Sequence, residues 1–483
     1  MQFNSYIFVL FFLPIALLGY YLLNKRSFKA ANVFLLGMSL WFYGYFNTSY
    51  LLIICSSIVI NYLLSRILVK IKKHREVILV IALCFNVGLI FYYKYYDFFI
   101  SNLNFIFRQD FALKHILLPL GISFFTFQQI SYVVDSYYGK TVDYGFIEYA
   151  LYVAYFPQLI AGPIVLHDEI IPQFRDRSRR CVNWDNMGKG ILIFSIGLFK
   201  KMEIADTFGR IVDWGFSNLN TASSLDLFIV MISFTFQIYF DFSGYSDMAI
   251  GLGRMFNFDL PMNFNSPYRA LSVVEYWDRW HLTLTRFLRT YIFNPIYIRG
   301  KRKDKNYDYL AIFITFFVSG LWHGAAWTYV IYGCAHGVAN ILTHAFRKPY
   351  KKIPKVIRWL LTFSFVSVFL LLFRSQSLKQ WTQVLGGMLR FDPPSVNIVL
   401  GDTFFTLAGY VANALGHVIS DKQIFAIAIA VFIPFILYIC IKGKNIHEME
   451  LKLNKKSLAL AVLMLSFCII TFSRESYYIY FNF

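Results

Sequence analysis

The stretch SGLWHGAAWTYVIYGCAHG, residues 319–337, sets two histidines in apolar surroundings that otherwise look like a membrane-spanning helix. His323 follows Trp322 and precedes three small residues, which let a partner helix or a ligand approach closely. An imidazole takes up and releases protons near neutral pH. Ionisable residues inside membrane segments usually serve a function. We therefore expect His323 to be a functional residue.

His336 lies 13 residues beyond His323. On one continuous helix this spacing is roughly 20 Å of rise and 220° of rotation, so the two rings could not face one group. The sequence thus predicts either different roles for them or a helix break near Gly333. His336 also fits a structural hydrogen-bonding residue, with Asn340 one turn later.

A third histidine, His281, lies in EYWDRWHLTLTRFLRTYIF, residues 275–293. Helical spacing places Trp277 on the side of His281 and places Arg279 and Arg286 on the opposite side. The pattern predicts an amphipathic helix at the membrane interface, with its arginines toward lipid headgroups or the cytosol. A purely structural role for His281 stays open.

Further polar residues lie in YFDFSGYSDMAIGLGRMFNFDLPMNFNSPY, residues 239–268. We predict an ion pair between Asp241 or Asp247 and Arg254, and a turn at Asn265 bordering a site. The segments 118–128 and 155–164 combine proline, glycine and amides, which favours broken or re-entrant helices lining a cavity, or kinks that serve packing.

The composition fixes the class of protein. The chain has 483 residues, of which 58% are hydrophobic and 15% charged, so we predict an all-α polytopic membrane protein. We expect about 11 to 13 transmembrane helices, including 225–252, 309–333 and 357–373, with re-entrant and interfacial helices between them. The net charge of +19 lies mostly in loops between apolar stretches, which indicates membrane orientation and not nucleic-acid binding.

We expect one integral-membrane domain over residues 1–483. It would comprise N-terminal helices (1–112), a catalytic core (113–345) and C-terminal helices (346–483). The six cysteines form no CxxC pair, so neither a disulfide framework nor a metal site is predicted.

Taken together, four motifs resemble the membrane-bound O-acyltransferases: FPQLIAGPI, DFSGYSDMAIGLGRMFNFDLPMNFNSPY, EYWDRWHLTLTRFLRTYIFNPI and SGLWHGAAWTYVIYGCAHG. The resemblance covers nearly the whole chain. It is strongest to the branch that acetylates alginate, peptidoglycan or cellulose in bacteria, and weaker to the D-alanyl transfer proteins of teichoic acid. It implies a fold with a central funnel or tunnel.

The resemblance implies that His323 occupies the family's catalytic position and His281 a second polar position. His323 would act as a general base or transient acyl carrier, and His281 would orient the thioester or stabilise charge on its carbonyl. We expect substrate contacts from Trp322, Asn265, Trp277, Trp280 and His336.

The implied function is acetyl transfer from cytosolic acetyl-CoA to an extracytoplasmic polysaccharide, across the bacterial cytoplasmic (inner) membrane. Acetyl-CoA would be a consumed substrate, and no tightly bound cofactor is expected. An extracytoplasmic esterase-like partner of SGNH type would complete the transfer. This chain has no Gly-x-Ser-x-Gly elbow, which fits a serine supplied by that partner.

Other functions stay open. A D-alanyl or other acyl transferase of the same fold would draw its acyl group from a carrier protein. A transporter of polysaccharide or lipid-linked sugar would be favoured by paired internal repeats, and the sequence shows none. A scaffold for polymer export would not need His323.

Overall fold

The computed structural model describes residues 1–141, 143–301, 307–393, 395–397, 421–446, 448–449 and 451–472, with side chains from 430 onward in the helix that begins at 421. These residues form helices and loops without a β-strand, so the predicted all-α class is confirmed. Four described helices are long and apolar enough to cross a bilayer: Ser49–Lys70, Arg75–Phe107, Ser224–Met255 and Lys355–Arg374. The expected total of 11 to 13 spans stays a prediction.

The described helices divide between two compact units. The first unit comprises residues 1–199, 244–262 and 451–483. Besides the end of Ser224–Met255, its longer helices are Leu13–Asn24, Phe28–Gly44, Ser49–Lys70, Arg75–Ile90, Tyr96–Phe107, Ile122–Tyr137, Phe146–Ala154, His167–Arg175, Trp184–Phe199 and Lys455–Thr471. The interruption predicted within 155–164 is present, since Phe156–Leu159 is a single helical turn, whereas residues 118–121 precede a helix that begins at Ile122. The cavity-lining role of these segments stays a prediction.

The second unit comprises residues 200–243 and 263–450 and contains all three histidines introduced above. Its helices are the π-helix Lys200–Ala205, Asp206–Ser217, the first part of Ser224–Met255, Val273–Trp277, Leu282–Leu288, the π-helix Arg289–Phe293, Asn294–Lys301, Asp308–His323, Trp327–Ala345, Arg347–Lys352, Lys355–Arg374, Leu378–Met388 and Asp421–Lys442.

The predicted span 309–333 is wrong, because two antiparallel helices replace it. Asp308–His323 ends at His323, and the next helix begins at Trp327 after extended backbone at Gly324 and Ala326. The break therefore lies at 324–326 and not near Gly333.

Two glycines let the helices of this hairpin meet. A Cβ on Gly320 would lie 2.4 Å from the Tyr329 carbonyl oxygen and 2.9 Å from Cα of Gly333. Only a residue without a side chain fits such a backbone contact. This close packing brings the end of the first helix beside the second.

The predicted helix over 275–293 is also wrong. Val273–Trp277 is one short helix, capped by the Ser272 hydroxyl, and a second helix begins only at Leu282. The backbone N–H of Leu282 donates to the Asn263 carbonyl oxygen at 2.9 Å. A residue 19 positions earlier thus satisfies a free amide at the start of the second helix, which helical periodicity could not reveal.

Candidate active site

His323 lies inside a cluster of aromatic rings. It is the last residue of its helix and only 3% of its surface is exposed. Its ring centroid lies 4.9 Å from that of Trp322, 5.0 Å from Phe373 and 6.0 Å from Tyr332. The surrounding rings exclude bulk water from the imidazole.

The Trp322 ring contacts two histidines. Its centroid lies 5.9 Å from the ring of His281 and 4.9 Å from that of His323. The structure therefore brings together the two histidines expected to be catalytic, together with the tryptophan expected to contact substrate.

Asn263 determines which nitrogen of His281 carries the proton. Its Oδ1 accepts from the Thr283 backbone N–H at 3.3 Å and from the Thr283 hydroxyl at 2.9 Å. A backbone N–H can only donate, so the side-chain atom of Asn263 facing it must be the amide oxygen. Nδ1 of His281 lies 3.0 Å from the same oxygen and must therefore donate a proton to it. Nε2 of His281 is left as the proton-accepting nitrogen.

The backbone and burial of His281 reinforce this arrangement. The residue is fully buried and has left-handed backbone angles, φ 45° and ψ 53°. A side chain that is not glycine pays about 1 kcal/mol for such angles, so the neighbouring contacts must hold it there. His281 lies outside the four candidate spans. Burial lowers the pKa of His281 to about 3, so the ring is neutral at physiological pH.

His336 has the opposite tautomer. The indole Nε1 of Trp277 donates to its Nδ1 at 3.0 Å, so the proton of the neutral ring is on Nε2. The ring is fully buried and 4.4 Å from that of Tyr332, which also neighbours His323. Within the described part of the chain, Nε2 of His336 has no hydrogen-bond partner.

Trp280 and Asn265 have contacts of a different kind. Trp280 stacks on Tyr276 at 5.5 Å and meets Phe264 edge-on at 5.0 Å. Asn265 donates its backbone N–H to the Arg279 carbonyl and accepts from the Asn445 amide at 2.8 Å. These contacts hold in place the turn that carries Asn263 and the short helix that carries Trp277. They indicate a supporting role for Trp280 and Asn265.

A cavity of about 610 Å³ opens beside Trp277, within the second unit. Its wall is part apolar and part charged, and the residues that contribute are Val274, Trp277, Asp278, Thr285, Leu288, Arg289, Phe293, Tyr297, Asp308, Tyr309, Ile312, Thr315, Phe316, Asn340 and His344. A chamber of this size accommodates a small organic ligand. Trp277 lines this cavity and also donates to His336, whose ring lies beside Tyr332 in the group of aromatic rings and histidines around His323. These rings and histidines are called the histidine cluster below.

The predicted ion pair to Arg254 from Asp241 or Asp247 is wrong. Arg254 binds Asp259 at 2.8 Å. Asp241 instead lies 2.7 Å from Nζ of Lys201, which also contacts Asp206 at 2.6 Å, and Lys201 is 1% exposed. A buried lysine between two carboxylates is a structural ion cluster whose charges offset one another.

The described ranges contain no group of three or more His, Cys, Asp or Glu residues arranged to hold a metal ion. Their six cysteines are all free thiols.

The sequence did not single out several residues of the site. Asn263 was one polar residue among several, and Tyr332 and Phe373 carried no signal that separates them from other aromatic residues. The signal for Asn263 was its place in a non-helical, asparagine-rich stretch before a buried histidine, but its partner was 18 residues away.

Comparison with known proteins gives one family match and several similar proteins. The model of MBOAT, the membrane-bound O-acyltransferase family, matches residues 77–375. The chain is 36% identical to the peptidoglycan O-acetyltransferase of Helicobacter pylori, over 100% of this chain and 97% of that protein. It is 36% identical to the probable alginate O-acetylase AlgI of Pseudomonas aeruginosa, over 81% of this chain and 75% of that one. It is 26% identical to the teichoic acid D-alanyltransferase of Streptococcus thermophilus, over 49% and 59%.

The matched region contains all three histidines, the Asn263 turn and the cavity beside Trp277. The family match covers more than half of the chain, and the relatives with the higher identities are named for O-acetyl transfer. The protein is a multi-pass membrane acyltransferase that belongs to the membrane-bound O-acyltransferase family.

Proposed function

We propose that this acyltransferase moves an acetyl group from cytosolic acetyl-CoA across the bacterial cytoplasmic membrane, for O-acetylation of an extracytoplasmic polysaccharide of the peptidoglycan, alginate or cellulose type. The observation that carries the proposal is the pair of buried histidines, His281 and His323, whose rings both contact Trp322. Two relatives that cover most of this chain are named for acetylating peptidoglycan and alginate.

His323 is the general base in this proposal. It takes the proton from an acceptor hydroxyl, whose oxygen then forms a bond to the thioester carbonyl carbon. The carbon–sulfur bond breaks, and the proton passes from the imidazole to the departing thiolate of CoA. Acceptor hydroxyl and acetyl-CoA thus give an acetyl ester and free CoA. In the alternative route His323 carries the acetyl group transiently.

His281 orients the donor. Its Nδ1–H donates a hydrogen bond to Asn263. Nε2 is therefore suited to accept a hydrogen bond from an amide N–H, such as those of the pantetheine arm of CoA. Stabilising negative charge on the thioester carbonyl oxygen requires a hydrogen-bond donor. His336 carries its proton on Nε2 and can serve as that hydrogen-bond donor.

The cavity beside Trp277 receives the donor. Its apolar wall suits the pantetheine arm, and Arg289 and His344 at its edge suit the phosphates of CoA. CoA stays in the cytosol because its phosphates cannot enter lipid. An extracytoplasmic SGNH-type partner, whose serine accepts the acetyl group, then completes the transfer to the polymer.

The test uses protein purified in nanodiscs, acetyl-CoA labelled in the acetyl group and an added SGNH-type partner protein as the acceptor. Wild type is compared with His323→Gln and with His115→Gln, a change at an exposed histidine in the other unit. We expect CoA release and label transfer from wild type and His115→Gln, and a loss of both on the order of 100-fold or more in His323→Gln. Equal activity of the three proteins would remove His323 from the chemistry, and no CoA release by any of them would favour the transporter or scaffold functions.

A second function draws on the similarity to the teichoic acid D-alanyltransferase. In that case a D-alanyl group arrives on a carrier protein. A D-alanyl carrier protein offered in place of acetyl-CoA distinguishes the two, since the acetylation proposal predicts label transfer from acetyl-CoA alone.

A further inference from the structure

We propose that Asn263 is a positioning residue that fixes the tautomer of His281, so that Nε2 of His281 faces the substrate as a hydrogen-bond acceptor. This inference rests on the proposed function for its catalytic consequence, although the tautomer itself is a property of the resting protein.

The first support is the number of contacts that converge on one amide. The Oδ1 atom of Asn263 accepts from Nδ1 of His281, from the Thr283 hydroxyl and from the Thr283 backbone N–H. The Asn263 backbone carbonyl accepts from the Leu282 N–H. Asn263 therefore both caps the helix that begins at Leu282 and orients the histidine that precedes it.

The second support is the absence of rotational choice. Asn263, His281 and Thr283 are each no more than 2% exposed. Phe242 meets the His281 ring edge-on at 4.7 Å, and Trp322 does so at 5.9 Å. A ring held by two aromatic neighbours cannot turn to exchange its nitrogens without disturbing the cluster.

The third support is the contrast with His336. The hydrogen bond from Trp277 to Nδ1 of His336 leaves the proton of that ring on Nε2, whereas Asn263 accepts from Nδ1 of His281 and so keeps the proton there. The two imidazoles thus differ in hydrogen-bonding character: Nε2 accepts in one and donates in the other. Asn263 and Trp277 achieve this difference with uncharged side chains.

Two substitutions separate the tautomer from the fold. Asn263→Asp keeps an oxygen acceptor for all three donors and adds a negative charge, so it should keep the Nδ1–H tautomer of His281. Asn263→Leu keeps the approximate volume and removes the acceptor, so His281 loses its tautomer preference. Asn220→Asp adds the same charge at an exposed site, where the Asn220 side-chain oxygen accepts from Gln383, and serves as the matched control.

The experiment is ¹⁵N NMR of histidine-labelled full-length protein in nanodiscs at neutral pH, with His281→Gln to identify the His281 signals. Wild type and Asn220→Asp should show His281 protonated on Nδ1 and bare on Nε2. Asn263→Asp keeps the oxygen acceptor and should keep His281 protonated on Nδ1, whereas Asn263→Leu should lose the single-tautomer pattern. A wild-type His281 protonated on Nε2, or an Asn263→Leu spectrum identical to wild type, would overturn the proposal.

CoA release measured on the same samples separates this inference from the proposed function. Asn263→Leu should lower the initial rate by about tenfold or more, since Nε2 of His281 is no longer held as the acceptor, and Asn263→Asp should lower it less. The expected spectra with an unchanged rate would support the tautomer assignment and count against the donor-orienting role of His281.

Discussion

Nε1 of Trp277 donates a 3.0 Å hydrogen bond to Nδ1 of His336, and the same indole forms part of the wall of the 610 Å³ cavity. One side chain thus connects the proposed donor chamber with the histidine cluster. The indole also meets Phe316 at 5.0 Å, which holds its orientation from the cavity side. A change at Trp277 therefore acts on the donor and on the tautomer of His336 together.

Replacing Trp277 with phenylalanine tests this connection. The aromatic packing is largely kept, but Nδ1 of the fully buried His336 loses its donor. An acceptor left unsatisfied in a protein interior costs about 1–3 kcal/mol, so the variant should unfold at lower temperature and release CoA more slowly. Thermal unfolding in detergent and acetyl-CoA turnover measure the two effects.

Trp184→Phe is the control for Trp277→Phe, because Trp184 is 77% exposed. The double variant Trp277→Phe/His336→Phe should lose less unfolding free energy than the two single variants lose together, since it leaves no unpaired ring nitrogen. Additive losses would show that the hydrogen bond contributes nothing to the site.

The glycine contact in the hairpin predicts the effect of a single methyl group. Gly320→Ala places a Cβ 2.4 Å from the Tyr329 carbonyl oxygen, so the two helices must move apart. Forcing atoms into a tightly packed interface costs about 1–3 kcal/mol, and the displaced helix end carries His323 away from Tyr332. We expect lower thermal stability together with at least about a tenfold loss of CoA release.

Gly386→Ala provides the comparison for Gly320→Ala, since a Cβ at Gly386 meets nothing within 4 Å. Inside the helix Leu378–Met388, alanine should be neutral or stabilising by about 0.5–1 kcal/mol. If Gly320→Ala behaves like Gly386→Ala, the hairpin does not depend on the glycine contact.

The sequence predicts the helical class and singles out the histidines as candidate functional residues, because both inferences depend on local composition. His323 stood out because an imidazole beside small residues in an apolar run is unusual. The break at Gly324–Ala326 was missed because three small apolar residues continue a hydrophobic run without interrupting it. Hydropathy measures transfer into lipid, and it does not detect a turn made of residues that lipid tolerates.

The helix predicted over residues 275–293 is interrupted for a different physical reason. Helical spacing assumes that every amide bonds within the helix, whereas the N–H groups of Leu282 and Thr283 bond to Asn263. That tertiary contact interrupts the helix and leaves His281 at the break. Trp277 and His281 nevertheless both face inward as the pattern indicated, since burial and not helix continuity decides their direction.

The buried Lys201 cluster predicts a large loss of stability. Lys201→Met removes the cation that lies between Asp206 and Asp241, the latter on the candidate span Ser224–Met255. Removing one partner of a buried ion pair costs about 3–5 kcal/mol. Lys189→Met removes a partly exposed pair with Asp185 and should cost less than about 1 kcal/mol. Chemical unfolding in mixed micelles measures both, and similar losses for the two variants would contradict a structural role for the cluster.

Arg289 distinguishes donor binding from chemistry. Its guanidinium lies on the cavity wall, where it contacts Asp278 at 3.3 Å and is 62% exposed in its side chain. A charge-assisted hydrogen bond to a CoA phosphate is worth about 1.5–3 kcal/mol, so Arg289→Ala should raise the KM for acetyl-CoA by about tenfold or more with little change in kcat. Arg374→Ala is the control, because Arg374 also pairs with an aspartate, Asp213 at 3.0 Å, and is not among the residues of the cavity wall.

Because CoA is strongly anionic, the wild-type KM should also rise with ionic strength, and the Arg289→Ala variant should show a weaker rise. Arg374→Ala should follow wild type in both respects. If Arg289→Ala lowers kcat and leaves KM and its salt dependence unchanged, the donor does not reach this edge of the cavity, and the phosphates must bind elsewhere on the cytosolic face.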